Sequence, residues 1–418
     1  MDNTKTRCAY WGLRERISII GLLLVVSGCL SAEGPGGEGG DVEVIPMALK
    51  PDWIGFELGL EPPSLVKVGE IEFSPPGLPP APPPPHAVDP DETFVPDPDE
   101  GITVFDSEGN LYELDFPKED RAKLSAALRA QGRGGEGLAP IADFEDAPGL
   151  DFEVEKGLPN GVDNRFIWAP GSNGTGGTSY PYSTQGVFAT SNGRCSATLF
   201  DHRVIVMAAH CWFRYNATGP GPGTWGAGQQ FAAGYKGGLS FPYGIQGPDP
   251  AFVGSVYTAF LTNNCHITYN NSICPPLDIS WMALSSTPTD SGGSDAGAMG
   301  YKSALPSAAT HVFDGFPTCG NPESPAGCNN SLYRENGCSR TAITVDKYDS
   351  NCGGSYGQSG GPFWHAHAVG DYRLTGVLAG QKCDGNMGSS CAGIGQPIIL
   401  HRITISDISI MDSLRSMF

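Results

Sequence analysis

The sequence predicts an all-β protein with one short closing helix, set behind a long N-terminal stretch that has no core of its own. Three observations lead there. Glycine (58) and proline (36) are abundant in 418 residues, and charged residues are only 17%, a balance that suits loop-rich sheet better than helix. From about residue 161 onward, short β-prone runs alternate with Gly, Pro and Asn turns, as at residues 186–190, 203–207, 279–284, 342–345 and 372–378. Such a series builds a barrel or a sandwich. The chain then ends in residues 406–417, where Ile408, Met411, Leu414 and Met417 recur at helical spacing.

The N-terminus reads as an export signal. Lys5, Arg7, Arg14 and Arg16 precede an apolar run over residues 17–26 that is too short for a comfortable transmembrane helix. Val26-Ser27-Gly28-Cys29 resembles a bacterial lipobox. That resemblance implies a signal peptide over residues 1–28, lipidation of Cys29, and a place in the bacterial cell envelope, held to the membrane by lipid. An ordinary secretory signal, giving a secreted protein, is the second reading, and an uncleaved membrane anchor the third.

Residues 29–160 are expected to form an acidic, Gly- and Pro-rich tether or pro-segment, mostly disordered. Residues 1–160 hold 12 Lys and Arg against 30 Asp and Glu, whereas residues 161–418 hold 13 against 15. The acidic excess therefore belongs to the N-terminal third, where it argues for a solvated chain and against nucleic-acid binding. The proline-dense residues 75–98 suit an extended spacer. One small ordered unit is expected inside the tether, over residues 101–131. There residues 102–105 and 111–114 flank a turn in hairpin fashion, and residues 118–131 read as one helix with Leu124, Ala127 and Leu128 on a face. The unit is too small to be a robust domain.

Chemistry concentrates in residues 161–418. Gly357-Gln358-Ser359-Gly360-Gly361-Pro362 sets a serine in a glycine-rich turn, where backbone N–H groups can approach a bound carbonyl. A serine hydroxyl needs a base to become a nucleophile. His210, after the apolar run 204–209, is the candidate base, and Asp278, before the run 279–284, is the candidate orienting acid. The chain order His, Asp, Ser is one of several that bring the same triad together.

Three separate stretches resemble the trypsin/chymotrypsin-fold serine proteases: Cys195-Ser196-Ala197 with Ala208-Ala209-His210-Cys211, the strand after Asp278, and Gln358-Ser359-Gly360-Gly361-Pro362. Around Ser359, and at Pro181-Tyr182-Ser183, the chain is most similar to the bacterial branch that contains glutamyl endopeptidases. The resemblance covers residues 160–418. It implies two six-stranded antiparallel β-barrels with a cleft between them, and a serine endopeptidase using His210, Asp278 and Ser359. It also implies an oxyanion hole from the Gly357 and Ser359 N–H groups. By the same resemblance Gly353 would lie at the floor of the substrate pocket and Leu378 on its wall. Leu378 stands where glutamyl endopeptidases carry a histidine, and Gly353 lacks the acid that selects Lys or Arg, so an apolar or small side chain is expected there. Gln358 stands where trypsin-type zymogens have an Asp, so any latent form needs another switch, such as removal or movement of residues 30–160.

Ten cysteines fall in residues 195–391, an even number that suits disulfides in an exported domain. The resemblance implies Cys195–Cys211. Proximity suggests Cys265–Cys274, Cys319–Cys328, Cys338–Cys352 and Cys383–Cys391, with Cys352–Cys383 as a rival. No Cys-x-x-Cys supports a metal site. His365-Ala366-His367 is the remaining metal candidate, set against a plain strand. The triad needs no metal or cofactor. Polypeptide substrates, no nucleic-acid partner and a monomer complete the expectation. A binding or adhesion protein on a protease-like scaffold, and an esterase with the same triad, are the competing readings.

Overall fold

The computed structural model describes residues 43–47, 49–70, 73–74, 101–131, 167–168, 180–191, 193–214, 224–235, 240–267, 269, 273–303, 311–318, 332–343, 347–354, 357–368, 371–381 and 397–418. The expected signal and Cys29, the proline run, and the pairs Cys319–Cys328 and Cys383–Cys391 lie outside them. No described helix is long and apolar enough to cross a membrane.

The structure is built on two large sheets whose strands pair almost entirely antiparallel. The first has ten strands. Six come from residues 185–283: Gln185–Thr190, Gly193–Asp201, Val204–Met207, Gln230–Ala233, Gly254–Tyr257 and Ser280–Ala283. The second sheet has nine. Its central run places Lys347–Gly353, Pro397–Arg402, Asp371–Gln381, Pro362–Ala368, His311–Gly315 and Tyr333–Cys338 side by side. The strand Val204–Met207 is wholly buried. An unbroken β-branched and apolar sequence forms such a strand when both of its faces are covered.

The sheets exceed six strands because edges are filled. In the first sheet, Gly254–Tyr257 pairs on one side with Ser280–Ala283 and on the other with Ile102–Phe105. Ile102–Phe105 pairs with Asn110–Asp115, which pairs with Ser64–Glu70, which pairs with Val44–Pro46. Four strands of the supposed tether thus extend the sheet. Within the N-terminal third, the ordered unit expected at residues 101–131 is joined by residues 43–47 and 49–70, and both belong to this sheet. The hairpin and helix read from residues 101–131 are present, the helix as Lys118–Ala130. That unit does not stand alone, because Ile102, Val104, Phe105, Leu124 and Leu128 are buried in the same core cluster as Trp212 and Trp281.

The C-terminal helix Ile405–Met417 ties these parts together. Thr404 and Asp407 form a reciprocal capping box at its start. The Asp407 carboxylate also accepts from Tyr257 Oη at 2.6 Å and lies 3.0 Å from His401 Nε2, so one buried acid links the helix to a strand of each sheet. Burial works against the ionised form of Asp407. The His401 charge and hydrogen bond, with those of Tyr257 and the Thr404 backbone, outweigh it and hold the carboxyl below its ordinary value. From the N-terminal third, Ser125 donates to Asp412, Arg129 lies 3.8 Å from Asp412, and Trp53 Nε1 donates to Ser416 Oγ at 3.0 Å.

Candidate active site

Strand register brings His210 and Asp278 together. Ser280 lies opposite Met207 in the antiparallel pair. Residues three past Met207 and two before Ser280 therefore emerge at the same end of the sheet. Each then leaves its strand through a short 3-10 turn, Ala209–Trp212 for the histidine and Pro275–Leu277 for the aspartate. Two prolines, Pro275 and Pro276, stiffen the second turn.

Asp278 is fully buried and grips His210 twice. The His210 backbone N–H donates to Oδ1 at 2.8 Å, and His210 Nδ1 lies 2.6 Å from Oδ2. The imidazole keeps 18% of its surface exposed. With the Nδ1 hydrogen bound to the carboxylate, Nε2 is the nitrogen left to act as a base. Cys211 is bonded to Cys195 on the neighbouring strand, as expected, which fixes the turn. Trp212 fixes it from below: its indole N–H donates to Ser280 Oγ at 3.0 Å, and its ring packs edge-on to Phe105 and Phe188, each at 4.8 Å.

Ser359 reaches the same place from the second sheet through close backbone contacts. Gly357 and Gly360 have φ of 86° and 79°, in the left-handed region that suits glycine. At Gly360 a Cβ would fall 2.2 Å from the Ser196 carbonyl oxygen and 3.0 Å from the Ala208 nitrogen. Only a glycine lets this turn lie against the residues leading to His210. Ser196 N–H donates to the Ser359 carbonyl at 2.7 Å, and Ser196 Oγ donates to the Gly357 carbonyl at 3.0 Å while accepting from Phe316 N–H at 2.8 Å. Gly360 N–H donates to the Leu378 carbonyl, and Leu378 N–H to that of Gly361. Ser359 itself is half-buried. Its Oγ makes no hydrogen bond to His210 among the described residues, a looseness usual in unliganded sites. Among the same residues, no acceptor faces the Gly357 or Ser359 N–H.

The two pocket candidates are both buried. Gly353 N–H donates to Glu335 Oε2 at 2.8 Å. Leu378 packs into an apolar cluster with Phe313, Tyr348, Phe363 and Leu400. Sequence reasoning missed Glu335, which reaches Gly353 from the strand Tyr333–Cys338; the Cys338–Cys352 disulfide, anticipated by proximity, is the signal that could have placed it there. It also missed Tyr269, whose hydroxyl lies 2.7 Å from Asp278 Oδ2. Tyr269 stands in the small loop closed by Cys265–Cys274, nine residues before Asp278. Cys195, His210 and Cys211 are close enough to suggest a metal cluster, but the two sulfurs are bonded to each other. His365 is buried, with its ring 5.9 Å from that of His311; the His367 side chain lies outside the described residues.

No protein-family model and no curated protein sequence matches the chain. Among solved structures it is similar to a Glu endopeptidase in complex with MPD, at 13% identity and a TM-score of 0.43 over 58% of this chain and 94% of that one. It is also similar to the thermostable serine protease AL20 from an extremophilic microorganism, at 17% identity and a TM-score of 0.36 over 54% and 93%. A third is the protease Anisep from Arthrobacter nicotinovorans, at 14% identity and a TM-score of 0.36 over 53% and 90%.

Proposed function

We propose that the chain is an exported serine endopeptidase. The observation that carries this is the Asp278–His210 pair, joined at 2.6 Å and set beside a glycine turn that bears Ser359. Ser359 Oγ attacks a peptide carbonyl while His210 Nε2 takes its proton. The oxyanion that forms is received by the Gly357 and Ser359 N–H groups, each such donor contributing about 3 kcal/mol to the transition state. The intermediate collapses, His210 protonates the departing amine, and an acyl-enzyme remains on Ser359. Water, deprotonated by His210, then releases the acid. Asp278 holds the imidazole tautomer and offsets the charge it gains. Gly353 and Leu378 border the proposed pocket.

A fluorophosphonate probe on the full chain tests this. Labelling at Ser359 together with cleavage of a peptide library supports the endopeptidase. Labelling with turnover of simple esters alone supports the esterase, and no labelling supports a binding protein. We further propose that Cys29 carries the lipid, with polypeptides as substrates and a monomer as the working form. Cys29→Ser should move the protein from the detergent phase to the aqueous phase in a detergent partition. Identical partitioning of both forms would favour ordinary secretion.

A further inference from the structure

We infer that Tyr269 is a positioning residue of the triad, acting on His210 through Asp278; the inference rests on the serine-protease reading above. Its hydroxyl lies 2.7 Å from Asp278 Oδ2, the same oxygen that meets His210 Nδ1 at 2.6 Å, and 3.2 Å from the Ala379 carbonyl. A phenol has one proton, and the shorter contact to a carboxylate takes it. The ring of the same side chain stands edge-on to the imidazole, 5.7 Å away at 80°. Tyr269 thus bounds both members of the pair, and it is itself buried.

The loop that presents Tyr269 is closed independently of the sheets. Cys265 and Cys274 are bonded and fully buried, and Leu277 N–H donates to the Cys274 carbonyl immediately before Asp278. Disulfide, turn and aspartate form one short unit. Ala379, on the strand that runs past the aspartate, offers a carbonyl to the phenol and has no side-chain hydroxyl of its own. Tyr269 is therefore the described hydroxyl that meets the carboxylate.

The physical consequence has a sign. A donor to Asp278 Oδ2 draws off part of its negative charge and fixes the plane of the carboxylate. Removing that donor concentrates the charge on the atom facing Nδ1, so the imidazolium is favoured and His210 holds its proton to higher pH. It also leaves the carboxylate freer to rotate, so the base is less well aimed. Among the described residues, the titratable groups against His210 are Asp278 and Tyr269. His266, in the same loop and 5.6 Å from the Phe213 ring, is pushed down by burial.

Tyr269→Phe keeps the ring and removes only the hydroxyl. In the full chain it should lower kcat by about tenfold with KM within about twofold. It should also move the acid limb of the kcat/KM profile up by about half a pH unit. A second readout needs no substrate: the His210 Nδ1 proton, followed by NMR, should titrate at higher pH in Tyr269→Phe than in wild type. Opening the loop with the paired change Cys265→Ser and Cys274→Ser should shift the same resonance in the same direction. Equal titration midpoints in wild type and Tyr269→Phe overturn the proposal, as does a variant that loses only thermal stability. Wild type that neither cleaves nor labels would remove the protease reading instead, and the NMR titration would still report whether Tyr269 tunes the His210–Asp278 pair.

Discussion

At the residue scale, the proposed mechanism makes Ser359 and His210 a unit, so either loss should cost about the same. Ser359→Ala and His210→Ala are each expected to lower kcat by at least about 10⁴-fold with an unchanged melting temperature, because neither removes packing from the core. Substantial cleavage by either variant would refute the assignment. Gly360→Ala tests the turn rather than the chemistry. The added methyl meets the Ser196 carbonyl at 2.2 Å, backbone against backbone, so the turn must move and activity should fall although all three triad side chains remain. Sequence alone pointed to Ser359, His210 and Asp278 as candidates, because each sits in a pattern that the chemistry dictates, and the structure joins His210 to Asp278. Tyr269 and Ser196 were not legible. Their roles depend on which loop reaches Asp278 and which strand edge meets Gly357, and these are tertiary facts with no local periodicity.

At the element scale, the closing helix was legible and its anchor was not. Apolar spacing showed Ile408, Met411, Leu414 and Met417 facing inward, and they are buried. Nothing in that spacing marks Asp407, yet it takes hydrogen bonds from Tyr257 and Thr404 and pairs with His401 with none of its surface exposed. Asp407→Asn should destabilise the protein by about 3–5 kcal/mol, as expected when one partner of a buried pair is removed, measured by chemical denaturation at neutral pH. The pH dependence follows from the depressed carboxyl. Its contribution is fully present above the ordinary aspartate value of about 4 and is lost as pH falls through the lower folded value. The gap in melting temperature between wild type and Asp407→Asn should therefore narrow in acid. A gap that stays constant from pH 7 to pH 2 would show that Asp407 contributes by shape rather than by charge. Asp412, in the same helix, works the other way: burial raises its carboxyl despite hydrogen bonds from Ser125 and Tyr301, so its protonation in acid favours the fold.

At the scale of the whole molecule, the question is where the functional body begins. Composition drew the line at about residue 160, since the acidic, Gly- and Pro-rich stretch before it contains too little apolar sequence for a core. That reasoning holds for a segment standing alone and fails for one that borrows a core. Ile102–Phe105 fills the free edge of Gly254–Tyr257, and Phe105 packs on the ring of Trp212, two residues from His210. Val104 and Phe105 have no exposed surface, and Trp53 and Leu124 have almost none. Each buried aromatic or large aliphatic side chain contributes about 1.5–3 kcal/mol, against a total stability of about 5–15 kcal/mol for a typical domain. A chain starting at residue 160 would lose all of these and expose a strand edge that invites aggregation. The strands Val44–Pro46, Ser64–Glu70, Ile102–Phe105 and Asn110–Asp115 are thus part of the sheet that carries His210, and their release with an activating pro-segment would strip that edge. Expression of residues 43–418 should give a folded protein with the probe reactivity of the full chain. Expression of residues 160–418 should give insoluble or unlabelled protein, and adding residues 43–131 in trans should restore part of the labelling. If residues 160–418 alone fold and label with the fluorophosphonate at the full-chain rate, the N-terminal strands are dispensable decoration, and a removable pro-segment again becomes the better description.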